Sequence, residues 1–398
     1  TPGEVTSDAA VIQAYIGKES NCVRASGERI DLREPLGMEI DMADQAGADK
    51  MNNKQRMKAL MMGEPLDRVP FMPFFVSFMA VDNSVSLYDF YTRPEVAFDA
   101  GLATMKKYPW ANIRPVYGWG DHGAWEFGGG IDWPHDIADM GPHTSAPLIS
   151  SPEEVASLPD PDPLETEWFQ LRSRFNDICV SQGFSATLPS GSIMGQMASI
   201  LGASNLIMWM VDHVEAYHQL AQKVLNFNLK QAKLTIEKYG GRKCSVMTDL
   251  ALESNTMLSP AMFCELCLPY SKQIHEYYTA NGVMATMLHL CGNHKGNMKH
   301  LNELSLPPRT IFSISEFQDI AETGEQLDKK FLLAGNIPTA TIQDGTPEEV
   351  AAATRECLEK GKHRPGGFIL MPACEWPPTA PVANLEAVKT ALMEYGAY

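Results

Sequence analysis

The sequence predicts a (β/α)8 TIM barrel of the α/β class. Three observations lead there. Eight short apolar runs are spread between residues 68 and 374. A helix-like segment separates most of them. Several of those segments open on a Ser/Thr-Pro pair with Glu three residues on, as at Ser151-Pro152 and Thr346-Pro347, which satisfies free N–H groups and suits the positive end of a helix. Strict alternation of this kind requires parallel strands joined by crossover helices.

In order, the predicted strands are RVPFMPFF (68–75), ANIRPVYG (111–118), GFSATLPSG (183–191), KCSVMTDL (243–250), VMATMLH (283–289), RTIFSIS (309–315), KFLLAGN (330–336) and GGFILMPAC (366–374). A short basic helix and a turn precede the first, in MNNKQRMKALMMGEPLD. The predicted helices are SPEEVASL, ETEWFQLRSRFNDICVSQ, VEAYHQLAQKVLNFNLKQAKLTIEKYG, SPAMFCELCLPYSKQIHEYYTANG, NMKHLNEL, DIAETGEQL and TPEEVAAATRECLEKG. A segment at about 119–162, rich in Gly, Trp, Pro and His, is too irregular for either class and is expected to lie over the barrel mouth. Residues 51–398 therefore read as one barrel with a mouth insert. Residues 1–50 are polar, acidic and weakly periodic, and read as a flexible N-terminal extension.

Composition narrows the function. The 398 residues are 44% hydrophobic and 20% charged, as expected of a folded globular protein. No apolar run approaches the ~20 residues of a membrane helix, and no basic-then-apolar leader opens the chain, so a cytoplasmic protein is expected. The formal net charge of −17 and the absence of a Lys/Arg cluster argue against nucleic acid as a partner. Eight cysteines without regular spacing read as free thiols or metal ligands, not as a disulfide framework.

In such a barrel the chemistry lies at the C-terminal strand ends. Those ends carry Ser190, Asp249 with Glu253 beyond it, His289 with Cys291, Ser315 with Glu316, Asn336, and Cys374 with Glu375. His289, Cys291 and Cys374 form a set of two thiolates and one imidazole, which suits a soft divalent cation, above all Zn2+. Three protein ligands leave a fourth position open, the catalytic pattern. Gly292-Asn293 after Cys291 suits a sharp turn. Cys264 and Cys267 form a second close pair, but on a predicted helix with no further pair, and read as core. His122, His135 and His143 read as solvated or hydrogen-bonded, with a lid role as the minority reading. Trp119, Trp125 and Trp133 read equally as the wall of an apolar pocket or as packing of the insert onto the barrel.

With these residues in hand, the chain from about Met51 onward resembles the uroporphyrinogen decarboxylase superfamily. Within it, the chain is most similar to the branch of zinc-dependent, corrinoid-linked methyltransferases. The resemblance is carried by MKALMMGEPLDRVPFMP, ESNTMLSPAMFCELCLPYSKQIHEYYTANG, HLCGN, LLAGNIPT with GTPEEV, and GGFILMPACEWPPTAPVANLEAV. It implies the same barrel, zinc on His289, Cys291 and Cys374, and methyl transfer to or from the cobalt of a corrinoid (cobalamin), usually on a separate corrinoid-binding protein. The small substrate would be a methyl donor, with a methoxy-aromatic (O-demethylase type) preferred for the aromatic insert, or a thiol acceptor of the coenzyme M kind. Glu253 would be a fourth, displaceable ligand or an acid/base; Asp249 and Asn336 would orient substrate or ligands. Decarboxylases of the superfamily carry an arginine-rich opening segment. Here no arginine follows Arg68 until Arg93, which speaks against uroporphyrinogen decarboxylation. A non-catalytic, metal-bound, partner-binding barrel is the reading from a different class. Residues 1–17 also faintly resemble the tail of importer ATPase subunits, so Met51 reads as the start of the working protein.

Overall fold

The computed structural model describes residues 50–120 and 122–398. The flexible extension predicted over 1–50 lies outside the described residues except for Lys50. Among the described residues there are eight strands in chain order. β1 (Ile131–Asp132) and β2 (His143–Thr144) form a small antiparallel pair in the insert. β3 (Ala186–Thr187), β4 (Cys244–Asp249), β5 (Ala285–Leu290), β6 (Ile311–Ile314), β7 (Leu332–Ile337) and β8 (Phe368–Pro372) form one parallel sheet in sequential order. β6, β7 and β8 are buried throughout, as parallel strands covered on both faces must be.

The first two predicted strands are not laddered strands, and the sheet does not close into a fully hydrogen-bonded barrel. Pro70, Pro73 and Pro115 have no N–H to give. Both segments still occupy the gap between β8 and β3. Met72 N–H donates to Leu370 O and Leu370 N–H to Pro70 O, each at 2.9 Å, and Asn112 N–H donates to Phe71 O at 2.8 Å. The Arg114 guanidinium then reaches the hydroxyls of Ser185 and Ser245 at 3.3 and 3.2 Å. The third predicted strand, interrupted by Pro189, keeps only a two-residue ladder to β4.

Side chains of a strand alternate between faces. One parity (Met287, Ile311, Leu332, Ala334, Ile369, Met371) meets Met57, Leu60 and Met61 of the helix Asn53–Met62 in a core of its own, which closes the N-terminal end of the barrel. The opposite parity joins the larger core beneath the surrounding helices. The predicted helices are present, SPEEVASL as a 3-10 turn (Pro152–Ser157). The SPAMFCELC segment contains a π turn, Phe263–Cys267, before Leu268–Ala280. Met194–Leu201 and Ala203–Asp212 were not anticipated. The second buries Leu206, Trp209 and Met210 on one face and leaves Ile207, Met208 and Val211 exposed. Ser77–Asp82, Leu87–Thr92, Pro94–Lys107, Thr339–Asp344 and Val382–Tyr395 are further helices that the strand-helix alternation did not include. Among the described residues no single helix is long and apolar enough to cross a membrane.

The closing helix is fastened by Asp67. Its carboxylate accepts from Arg56 Nε at 2.7 Å, Arg56 Nη2 at 2.8 Å and the N–H groups of Lys50, Met51 and Arg68, each at 2.9 Å. Both side chains of the ion pair are buried. Asp67→Asn removes the carboxylate of this buried pair and should cost about 3 kcal/mol of unfolding free energy in urea; a loss under about 0.5 kcal/mol, the size of an ordinary surface substitution, would show that the pair does not hold the helix.

Candidate metal centre and its cavity

β4, β5 and β6 run side by side, so Asp249, His289 and Ser313 stand in one row at adjacent strand tips. His289 is fully buried. Its Nδ1 lies 3.1 Å from Ser313 Oγ, and its Nε2 has no hydrogen-bond partner. Cys291 follows two residues on, and Cys374 lies just past the end of β8. One ligand atom from each of the three residues lies within 4.8 Å of the others. The two sulfurs are 3.9 Å apart. That is far too long for a disulfide. Two thiolates at about 2.3 Å from a tetrahedral zinc would stand about 3.8 Å apart. An orphaned buried imidazole nitrogen facing two sulfurs at that spacing fits a soft divalent cation.

The electrostatics agree. A hydrogen bond shared between the sulfurs draws the Cys291 thiol below its usual range and raises that of Cys374. Burial works against charge on His289, but Cys374 and Asp249 beside it leave the imidazole more basic than usual. These thiols hold a proton that a bound cation would replace. Gly292 (φ +85°) lets the chain turn after Cys291, and a Cβ there would lie 2.9 Å from the Ser254 side chain. Ser315 Oγ–H donates to Gly292 O at 2.7 Å and fixes the same turn. Among the described residues this is the one such ligand cluster. Cys264 and Cys267 are not part of it; Cys267 packs on Met194, as expected of core.

None of the three ligand candidates is in the wall of the cavity of about 390 Å³, but their neighbours are: Asp249 beside His289, Phe74 against its ring, and Glu375 next to Cys374. Asp249, Glu253, Glu375, Ser190 and Phe74 are among its walls, and the Phe74 ring meets His289 edge-on at 5.2 Å. Glu253 is buried and accepts from Ser192 Oγ at 2.6 Å, while its other oxygen is unpartnered. Burial pushes its carboxyl up to about 7. Burial also raises Asp249, whose Oδ1 has no partner, and Glu375, which accepts from Ser77 N–H at 3.0 Å. Asn336 is not among the cavity walls. Its amide donates to Ser315 O and Gln318 O at 2.9 and 2.7 Å, so it braces the loop after β6. Glu316 is exposed beside the centre.

Trp119 and Trp168 line the cavity, with ring centroids 4.8 Å apart. Trp125 and Trp133 pack behind Trp119 at 6.0 and 5.6 Å. The indoles thus serve both as wall and as packing. Sequence reasoning missed Ser313, Ser192, Phe74, Arg114 and Arg172. The signal for Ser313 was a polar residue at an inward position of an otherwise apolar strand; that for Arg172 was an arginine within the buried stripe of its helix.

A barrel with a candidate three-ligand cluster at its strand ends and a cavity next to it is an architecture that α/β enzymes use. Residues 52–395 match the model of the uroporphyrinogen decarboxylase (URO-D) family, and the chain belongs to that family. It is 25% identical over 170 residues to a methylcobamide:CoM methyltransferase of Methanosarcina acetivorans, covering 43% of this chain and 47% of that protein. It is 30% identical over 112 residues to a uroporphyrinogen decarboxylase of Xanthomonas campestris, covering 28% of this chain and 31% of that protein. The chain thus spans less than half the length of these curated relatives. A methyltransferase structure from Methanosarcina mazei superposes with a TM-score of 0.68 at 17% identity, over 87% of this chain and 99% of that one, which establishes the shared fold. The likeness to the methylcobamide:CoM methyltransferase agrees with the corrinoid methyltransferase branch that the motifs resemble.

Two outcomes test the centre. Ser313→Ala frees the His289 ring and should weaken zinc binding by about 10- to 100-fold in a chelator competition; unchanged affinity would remove Ser313 from the centre. In metal-free protein, folded Glu253 keeps its proton up to about 7, whereas the unfolded carboxyl loses it near 4.5. Glu253 therefore costs stability as pH rises from 4.5 through 7. The stability of Glu253→Gln relative to the parent should climb across that window, by up to about 3 kcal/mol. A flat difference would mean that Glu253 is not held protonated.

Proposed function

We propose that the protein is a zinc-dependent methyltransferase that moves a methyl group between a small substrate and a corrinoid carried by a separate protein. The observation that carries this reading is the buried His289–Cys291–Cys374 cluster, with its orphaned imidazole nitrogen, beside a small apolar-walled cavity. The three residues would hold zinc, which supplies Lewis acidity to the oxygen or sulfur that bears the methyl group. The chain does the rest. Ser313 fixes the His289 ring through Nδ1. Glu253, set by Ser192, offers a proton near neutral pH to a departing oxygen. Phe74, Val76, Met79 and the indoles keep water from the reacting end. Asp249 beside His289 favours a cationic occupant of the site.

The aromatic walls support a methoxy-aromatic donor. A second reading, a thiol acceptor, is supported by the relative named for coenzyme M methylation. The family name and a curated relative raise porphyrinogen decarboxylation as well, but Arg68 is buried and donates to Val69 O and Trp110 O within the fold. The arginines in the cavity walls are Arg114 and Arg172, too few for a substrate of many carboxylates.

Purified protein should carry about one zinc per chain, and Cys374→Ala should lose it while Cys264→Ala keeps it. Zinc-loaded parent should convert cob(I)alamin to methylcobalamin with a methoxy-aromatic donor, followed by absorbance. Turnover of a porphyrinogen with no change of either cobalamin form, whatever methyl donor or thiol is offered, would contradict the proposal.

A further inference from the structure

Arg172 lies on the helix Glu167–Ser181, which packs over the gap between segment 111–118 and β3. Trp168 stacks on Tyr117 at 5.7 Å, and Asn176 exchanges hydrogen bonds with the backbone of Thr187. In strand order that gap lies across the barrel from β5 and β8, which carry the metal-ligand candidates. Arg172 is 4% exposed and forms part of the cavity wall. Its Nη2 donates to Gln231 Oε1 at 2.6 Å, and its Nε has no partner. Among the described residues no carboxylate lies within ion-pair distance of it. Glu126 is nearby but committed elsewhere: it lies 3.0 Å from His122 Nδ1 and accepts from Gln231 Nε2 at 2.8 Å and, weakly, from Gln196 Nε2 at 3.4 Å. The guanidinium instead rests against the rings of Trp168 and Phe169, 5.9 and 5.5 Å from their centroids. Glu126 acts on Arg172 only at a distance, through the Gln231 bridge; a buried guanidinium without a directly paired anion is costly, and a planar fork suits a carboxylate.

The other charged groups in the wall sharpen this. Asp249, Glu253 and Glu375 are acids on the metal side and disfavour a second anion there. Arg114 is already engaged by Ser185 and Ser245 near the start of β4. His122, fixed through Nδ1 by Glu126, shares the wall with Arg172. Trp119, Trp168 and Tyr117 share that wall; Tyr117 and His122 pack against Trp168 and Trp125 against Trp119, and what the rings leave facing the cavity is aromatic surface suited to a planar ligand.

We propose that Arg172 anchors a carboxylate, and that the small substrate is an aromatic carboxylate whose ring lies against the indoles and whose far end points toward the metal-ligand cluster. The placement of the far end rests on the methyl-transfer reading; the carboxylate anchor does not. The test is ligand binding by the full-length, zinc-loaded protein, read from tryptophan quenching and calorimetry. The probes are 4-methoxybenzoate, 4-methoxybenzyl alcohol and 2-mercaptoethanesulfonate. The parent should bind the benzoate at least about 30-fold tighter than the alcohol, and Arg172→Met should erase that preference while leaving alcohol binding in place. Arg172→Lys, which keeps charge but not the fork, should restore part of it. Equal affinity of the parent for acid and alcohol overturns the anchor, even if the Arg172 variants fail to fold. So does undiminished benzoate binding by Arg172→Met, or binding of the sulfonate alone. Tight, Arg172-dependent benzoate binding without any cobalamin methylation upholds the anchor and sinks the methyl-transfer reading. Methylation from the neutral ether as efficient as from the acid does the reverse.

Discussion

The site depends on strand direction and register. Six strands run the same way, so residues as far apart as 190 and 375 reach one rim. Register then sets neighbours: Asp249 pairs with His289, and His289 with Ser313. A slip of one residue in β5 would turn His289 out of the barrel and bring Leu288 or Leu290 inward. The helix Asn53–Met62, packed against the inward side chains at the opposite end and fastened by Asp67, helps to hold that register.

Some of the unpartnered buried polar atoms lie in the cavity wall or beside it. His289 Nε2, Asp249 Oδ1, Glu253 Oε2 and Arg172 Nε each lack a hydrogen bond. Each costs stability in isolation, on the order of 1–3 kcal/mol. A core selected for stability alone would satisfy or remove them. Two opposite characters are separated across one cavity, with soft ligands and acids on one side and a guanidinium among indoles on the other. That separation is what a small bifunctional ligand would require.

Much of this was legible in the sequence, for physical reasons. β4 to β8 are apolar runs bounded by turns, and parallel strands buried on both faces take that form. His289, Cys291 and Cys374 were legible because a barrel places chemistry at strand ends. The first two strands misled because apolar composition hides the missing N–H groups of Pro70, Pro73 and Pro115. For Asn336, position at a strand tip did not say where its amide spends its hydrogen bonds, which go to Ser315 O and Gln318 O. Arg172 was hidden because its role depends on Gln231 and Trp168, one far away in sequence and the other on the same helix face. An arginine in a helix otherwise reads as solvated.

The central claim is that one zinc is held by one imidazole and two thiolates with a position left open. X-ray absorption at the zinc edge of the purified protein tests it most directly. The account predicts two sulfur scatterers at about 2.3 Å, one histidine nitrogen at about 2.0–2.1 Å, and a fourth light ligand that changes when substrate is added. A shell of four protein ligands unaltered by substrate, or one without sulfur, would contradict it.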